Sequence, residues 1–129
     1  MTRTTQRIIP ILVYADIAAA QEFLVTCFGF TRGNLHHDGG QVVHGEVVMD
    51  GEAIWLHRVN ADHGLRGVGE VGASTSMLNV LVDDVDAHHA RSVASGAKIM
   101  YPPVDQAYGQ REYGAVDLEG RLWSFATQT

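Results

Sequence analysis

The chain has one cysteine, one lysine and three prolines in 129 residues, and these scarcities narrow what it can be. A lone Cys27 closes no internal disulfide, so a small cystine-stapled fold is excluded. Following an apolar run in an expected helix, it reads as an inert buried thiol. Lys98 is the single lysine, and the formal charge is −6. Nucleic acid and anionic membrane surfaces reward clustered Lys and Arg, so neither is expected as a partner. No apolar run approaches the ~20 residues a membrane span needs, and no apolar signal core follows the basic residues near the start. The expectation is a cytoplasmic protein. Apolar residues make up 46% of the chain, enough to bury a core and to argue against disorder.

A pass along the chain finds one pattern twice. Arg7 to Tyr14 is an apolar, branched strand with Pro10 tolerable near its start. Asp16 is a good N-cap, and Ile17 to Phe28 reads as a helix ended by Gly29. Strands follow at Phe30–His36, Gln41–Met49 and Glu52–Arg58, the last two joined by the hairpin signal Asp50-Gly51. Asn60 to Ala73 lacks periodicity and reads as a linker. Its Gly67-Val-Gly-Glu-Val-Gly72 matches a phosphate-binding pattern only superficially, since it neither follows a strand tightly nor leads directly into a helix. Then the order recurs. Ser76–Val82 is a strand, Asp84 caps a helix through Ala94, and strands follow at Lys98–Met100, Gln110–Val116 and Arg121–Ala126. Asp16 aligns with Asp84 and Gly51 with Gly120 at nearly equal offsets, the mark of an internal repeat. The expected fold is α+β. Two βαβββ modules, residues 1–59 and 75–129 joined by a linker over 60–74, form curved mixed β-sheets with helices on the outer face.

Four segments carry a family likeness: Ile8-Ile-Pro-Ile-Leu-Val-Tyr-Ala-Asp16, Phe28-Gly-Phe30, Leu81-Val-Asp-Asp-Val-Asp86 and, above all, Asp105 to Phe125. On these residues the chain resembles the vicinal oxygen chelate superfamily of glyoxalase I, extradiol dioxygenases, fosfomycin-resistance enzymes and bleomycin-binding proteins. It looks closest to the bleomycin-resistance-like and PhnB-like branches. The resemblance implies that each module supplies half of an open, curved sheet whose concave face holds the site. It also implies that metal-dependent members draw four ligands from equivalent strand positions, which here are Ile9, Trp55, Met77 and Ser124. None is an imidazole or carboxylate of the kind a divalent ion wants. Neither the inherited metal nor any other cofactor is expected.

Strand alternation then sorts the remaining positions. With Trp55 and Ser124 facing the groove, Ile54, Leu56, Trp123 and Phe125 pack beneath the helices. The groove is expected to have an apolar floor of Ile9, Ile11 and Met77. Its ligand-binding residues are expected to be Trp55, His44, Glu46, His57, Met77, Asn79, Arg111, Tyr113 and Ser124, the mixture a small-molecule pocket usually contains. Two blander readings compete, in which Arg111 merely pairs with Glu46 and His44 with Tyr113. A displaced metal site at His44, Glu46 and His57 is geometrically open, although no motif enforces it. His36, His37, His63, His88 and His89 are by default solvated.

The function expected from this groove is metal-independent binding that sequesters a planar, partly aromatic small molecule, such as an aromatic natural product, as drug-binding relatives do. An alternative is a glyoxalase-like lyase or isomerase, with His44 or His57 as general base and Arg111 on an enolate, or with the displaced metal site. A third reading is a structural or regulatory module with an empty groove. A homodimer is expected, because an open sheet leaves edges that proteins seldom leave unprotected. Relatives close their groove with a second chain, and two-fold symmetry is the commonest arrangement.

Overall fold

A computed structural model describes residues 4–129. The first module runs β1 (Ile11–Tyr14), α1 (Ile17–Phe28), β2 (Thr31–Asp38), β3 (Gln41–Met49) and β4 (Glu52–Arg58). A 3-10 turn (Ala61–His63) and the short α2 (Val68–Val71) occupy the stretch expected to be a featureless linker. The second module runs β5 (Leu78–Leu81), α3 (Val85–Ala94), β6 (Lys98–Gln106), β7 (Gln110–Val116) and β8 (Leu122–Gln128). The sheets are ordered β1-β4-β3-β2 and β5-β8-β7-β6. In each, the first and last strands of the module pair in parallel and the other neighbours pair antiparallel. The fold is the α+β pair of βαβββ modules that the repeat implied.

Local chemistry explains the shared boundaries. Asp16 accepts a hydrogen bond from the Ala19 amide at 3.0 Å, and Asp84 from the Ala87 amide at 3.1 Å, the same cap in each module. Asp50 and Gly51 both carry positive φ, 49° and 81°, the backbone that a two-residue hairpin of type I′ requires. Two strands depart from expectation. β1 begins only after Pro10, whereas β6 continues through Pro102 and Pro103. An edge strand tolerates prolines because one side of it needs no ladder donors, and the register slips on both sides of Tyr101 absorb them.

The helix-covered faces of both sheets meet in one core. Leu12, Tyr14, Val47, Ile54 and Leu56 come from the first sheet, and Tyr113, Ala115, Trp123 and Phe125 from the second, with Leu24 and Phe28 of α1 and Val85 of α3 between them. Trp123 is fully buried, its ring 5.9 Å from Phe28 and 5.6 Å from Phe30. Such aromatic pairs add about 0.5–1.5 kcal/mol each beyond the area they bury.

Polar groups of the second module close both ends of α1. A helix end leaves four carbonyls without intrahelical partners. Here His88 Nε2 donates to the Phe28 carbonyl at 2.7 Å and Ser92 Oγ to that of Cys27 at 3.2 Å. Arg91 reaches the carbonyls of Thr26 and Val25 at 3.3 and 3.2 Å, a cation at the negative end of the helix dipole. At the other end the Glu119 carboxylate accepts from the amides of Ala15 and Asp16 at 2.7 and 2.8 Å. Nearby, the buried Asp117 accepts from the Tyr14 hydroxyl at 2.5 Å and from Trp123 Nε1 at 3.0 Å, bridging the two modules. Among the described residues no helix is long and apolar enough to cross a membrane.

Candidate functional site

The face of each sheet turned away from the shared core holds most of the expected site residues. In β4, Ile54 and Leu56 are buried in the core while Ala53, Trp55 and His57 are half-buried on the other side. Trp55 lies opposite Glu46 of β3 and Ile11 of β1, and His57 lies opposite His44. Trp55 Nε1 donates to Glu46 Oε2 at 3.2 Å, and the Trp55 and His44 rings pack in a T-shape with centroids 5.2 Å apart. These contacts fix the indole on the sheet.

The histidines extend further than the sequence suggested. His36 of β2 pairs across the sheet with His44, the rings 5.5 Å apart, so His36, His44 and His57 form a row over three strands. Burial, and then the neighbouring His36 and His57, hold His44 below the ordinary imidazole pKa, with Glu46 opposing. His57 Nδ1 is buried without a partner. His36 was not anticipated because β2 carries register breaks, and a bulge erases the period-two signal that would have assigned its face.

The second module corrects two assignments. Tyr113 is not in a groove: it is fully buried on the helix side. Its hydroxyl lies 2.6 Å from His88 Nδ1 and 2.7 Å from Ser92 Oγ, and its ring stacks on Phe125. A carbonyl can only accept, so the bond to Phe28 places a proton on His88 Nε2. In the neutral ring that burial favours, Nδ1 then accepts from Tyr113. His88 is thus a core fastener rather than a solvated helix residue. Arg111 shares the helix side, with its guanidinium on Asp86 at 3.1 Å and Asp105 at 3.4 Å. Neither the Arg111–Glu46 pair nor the His44–Tyr113 bond forms. β7 lies one residue of register from the expected setting, which exchanges the two faces of a strand. Tyrosine hid it, because a buried hydroxyl with partners costs little.

In β7, Glu112 and Gly114 face outward, opposite Ala126 and Ser124 of β8. Ser124 Oγ donates to Asn79 Oδ1 at 2.8 Å, and Asn79 Nδ2 donates to Gln110 Oε1 at 3.2 Å. Met77, 45% exposed, precedes β5 in the same register as Asn79. The expected residues therefore form two patches, His44–Glu46–Trp55–His57 and Met77–Asn79–Ser124, one on each sheet. No hydrogen bond or ring contact among the described residues joins them. A cleft of about 430 Å³ lies between Ile8–Pro10 and β5, and of the expected ligand-binding residues it touches only Asn79.

The positions that would inherit a metal do not fit one. Ile9, Trp55, Met77 and Ser124 offer no imidazole or carboxylate, and the Ser124 hydroxyl is engaged with Asn79. Among the described residues no three His, Cys, Asp or Glu side chains group so as to hold a metal ion, which leaves the displaced site at His44, Glu46 and His57 without support.

A family model described as the Glyoxalase/Bleomycin resistance protein/Dioxygenase superfamily matches residues 6–125. An uncharacterized protein of Mycobacterium bovis is 31% identical, covering 89% of this chain and 78% of its own length. Among solved structures, TioX from Micromonospora sp. ML1 superposes with a TM-score of 0.79 at 31% identity, covering 96% of this chain and 99% of its own. TnmS3, an antibiotic binding protein from Streptomyces sp. CB03234, has the same fold with a TM-score of 0.73 at 18% identity, covering 100% of this chain and 98% of its own.

Proposed function

Because the chain belongs to the glyoxalase/bleomycin resistance protein/dioxygenase superfamily, we propose that it is a metal-independent binding protein that sequesters a planar, partly aromatic small molecule against its outward sheet faces. The observation that carries this reading is Trp55, an indole held flat to no core, fastened by Glu46 and flanked by His44 on the open side of the sheet. A planar ligand stacked on it gains about 0.5–1.5 kcal/mol beyond the apolar area it covers. His44, His57 and Glu46 on one face, and Asn79, held by the buried Ser124, on the other, supply polar contacts that orient it. That TnmS3 is an antibiotic binding protein supports the reading, since its fold is the same. The lyase or isomerase alternative is weakened: its enolate stabiliser, Arg111, is committed to Asp86 and Asp105 on the helix side.

The working form in this proposal is a homodimer. Ile8, Ile11, Met77 and Leu81 are 83, 50, 45 and 48% exposed beside the open faces and the edge strands β1 and β5. Exposed apolar clusters on unpaired edges call for a cover. A second copy that sets its Met77–Asn79–Ser124 face against the Trp55 face would make one enclosed cavity from two half-sites. Light scattering should give twice the 14.0 kDa chain mass. Tryptophan fluorescence titrated with planar aromatic compounds should show quenching that Trp55→Phe removes. A monomer at high micromolar concentration contradicts the closed cavity, and quenching that survives Trp55→Phe contradicts the binding face.

A further inference from the structure

The second sheet face contains an unsatisfied buried carboxylate that no sequence pattern had singled out. Glu112 is 5% exposed, and its Oε1 is buried with no hydrogen-bond partner. Its Oε2 accepts from the Tyr101 hydroxyl at 2.6 Å. None of the ion pairs among the described residues involves it. A buried acceptor without a donor is expensive, and a carboxylate oxygen more so. The first module offers a contrast. There Glu46 is likewise held by an aromatic donor, Trp55, but it is not among the buried side chains with an orphaned oxygen.

Tyr101 lies across the face that Glu112 belongs to. A Cβ on Gly114, two residues along the same strand, would stand 2.3 Å from its ring, so the ring rests directly on the Gly114 backbone. Burial first, and then Glu112, push the Tyr101 pKa up to about 12, so the hydroxyl remains a donor. Tyr101 sits on the edge strand β6 between two register breaks, followed by Pro102 and Pro103. An edge residue at a broken ladder is held by few backbone bonds and turns aside more readily than a central one. A flat ring on a glycine, with a hydroxyl on a carboxylate, has the shape and chemistry of a bound planar hydrogen-bond donor.

We propose that Glu112 is the recognition group of the second sheet face, that Tyr101 occupies its seat until displaced, and that the ligand it selects is a planar aromatic cation whose protonated nitrogen or N–H donates to the carboxylate. This rests on the small-molecule reading above and adds the charge of the ligand to it. The overall charge of −6 favours the approach of such a cation.

The test uses the full chain and two flat three-ring probes at mildly alkaline pH, where 9-aminoacridine is a cation and acridine is neutral. Titrations by tryptophan quenching give an affinity for each. The native protein should prefer 9-aminoacridine by at least about tenfold, the scale of a hydrogen bond to a charged group. Glu112→Gln should collapse that preference toward unity, with its fold checked by circular dichroism. Tyr101→Phe frees Oε2 as well and should widen the preference, which keeps the proposal testable if Glu112→Gln does not fold. Equal binding of both probes by the native protein, a preference that survives Glu112→Gln, or a preference that narrows in Tyr101→Phe each overturns the assignment to Glu112 while leaving small-molecule binding intact. Failure of the native protein to bind either probe counts against the small-molecule reading itself and takes this proposal with it.

Discussion

Asp117→Ala should be among the most damaging single substitutions in the chain. The side chain is buried and accepts four hydrogen bonds. Two come from the Tyr14 hydroxyl and Trp123 Nε1, and two from the amides of Glu119 and Arg121 at 3.0 and 3.1 Å. Alanine strands all four donors. Tyr14 and Trp123 are essentially inaccessible to water, and each buried donor left unpaired costs about 1–3 kcal/mol. The Tyr14 and Trp123 losses alone give about 2–6 kcal/mol, against the roughly 5–15 kcal/mol by which native domains are stable. Arg121 is also buried, with its guanidinium 5.5 Å from the ring of Tyr14, whose hydroxyl Asp117 holds. Asp117→Asn keeps an acceptor and should lose less than half as much. Guanidinium unfolding followed by tryptophan fluorescence, at one fixed protein concentration, measures both. An Asp117→Ala variant within about 1 kcal/mol of the native protein would show that this bridge between modules carries little of the fold.

The two tryptophans should behave oppositely. Trp123→Ala empties a core site and should cost about 3–5 kcal/mol, whereas Trp55→Ala should cost about 1 kcal/mol or less and abolish ligand quenching, both read by denaturant titration. Acidification should destabilise the protein. Burial holds His88 and His44 below the ordinary value of about 6.5, so the unfolded chain binds the extra protons as pH falls beneath it, and stability is lost from there down through the lowered folded pKa values. Melting temperatures across that window should fall less steeply in His88→Gln than in the native protein. Gly114→Ala should force the Tyr101 ring off the strand at a cost of about 1–3 kcal/mol. Ultraviolet titration should then show one tyrosine moving from about 12 toward the ordinary value near 10.

Much of the fold was legible because local rules and the repeat agreed. Two Asp caps, the Asp50-Gly51 turn and the apolar helix runs fixed α1, α3, β3 and β4 to the residue or nearly so. In β4, the groove position that the family resemblance implied for Trp55, carried along the strand by alternation, also placed Ile54 and Leu56 on the core face and His57 beside Trp55. β7 failed for a physical reason. Gln110-Arg-Glu-Tyr-Gly-Ala-Val has no clear apolar phase, and its face was decided by partners remote in sequence: His88 and Ser92 for Tyr113, and Asp86 for Arg111. Glu112 was invisible for the same reason. His88, one of five histidines with no motif, became a half-buried fastener only because α1 ends beneath it. Side-chain identity marks an amphipathic helix well, but a strand that carries polar groups on both faces reveals its register only through what packs against it.

The open face bearing Trp55 is expected to bind a planar small molecule, while Trp123 is sealed in the core. With two tryptophans in the chain, a nitrogen-edited proton NMR spectrum holds two indole signals, assignable by Trp55→Phe. On titration with a panel of planar aromatic compounds, the Trp55 signal should shift and saturate while the Trp123 signal, buried against Asp117, stays in place. A panel in which no compound moves Trp55, or in which Trp123 shifts and Trp55 does not, would contradict the account.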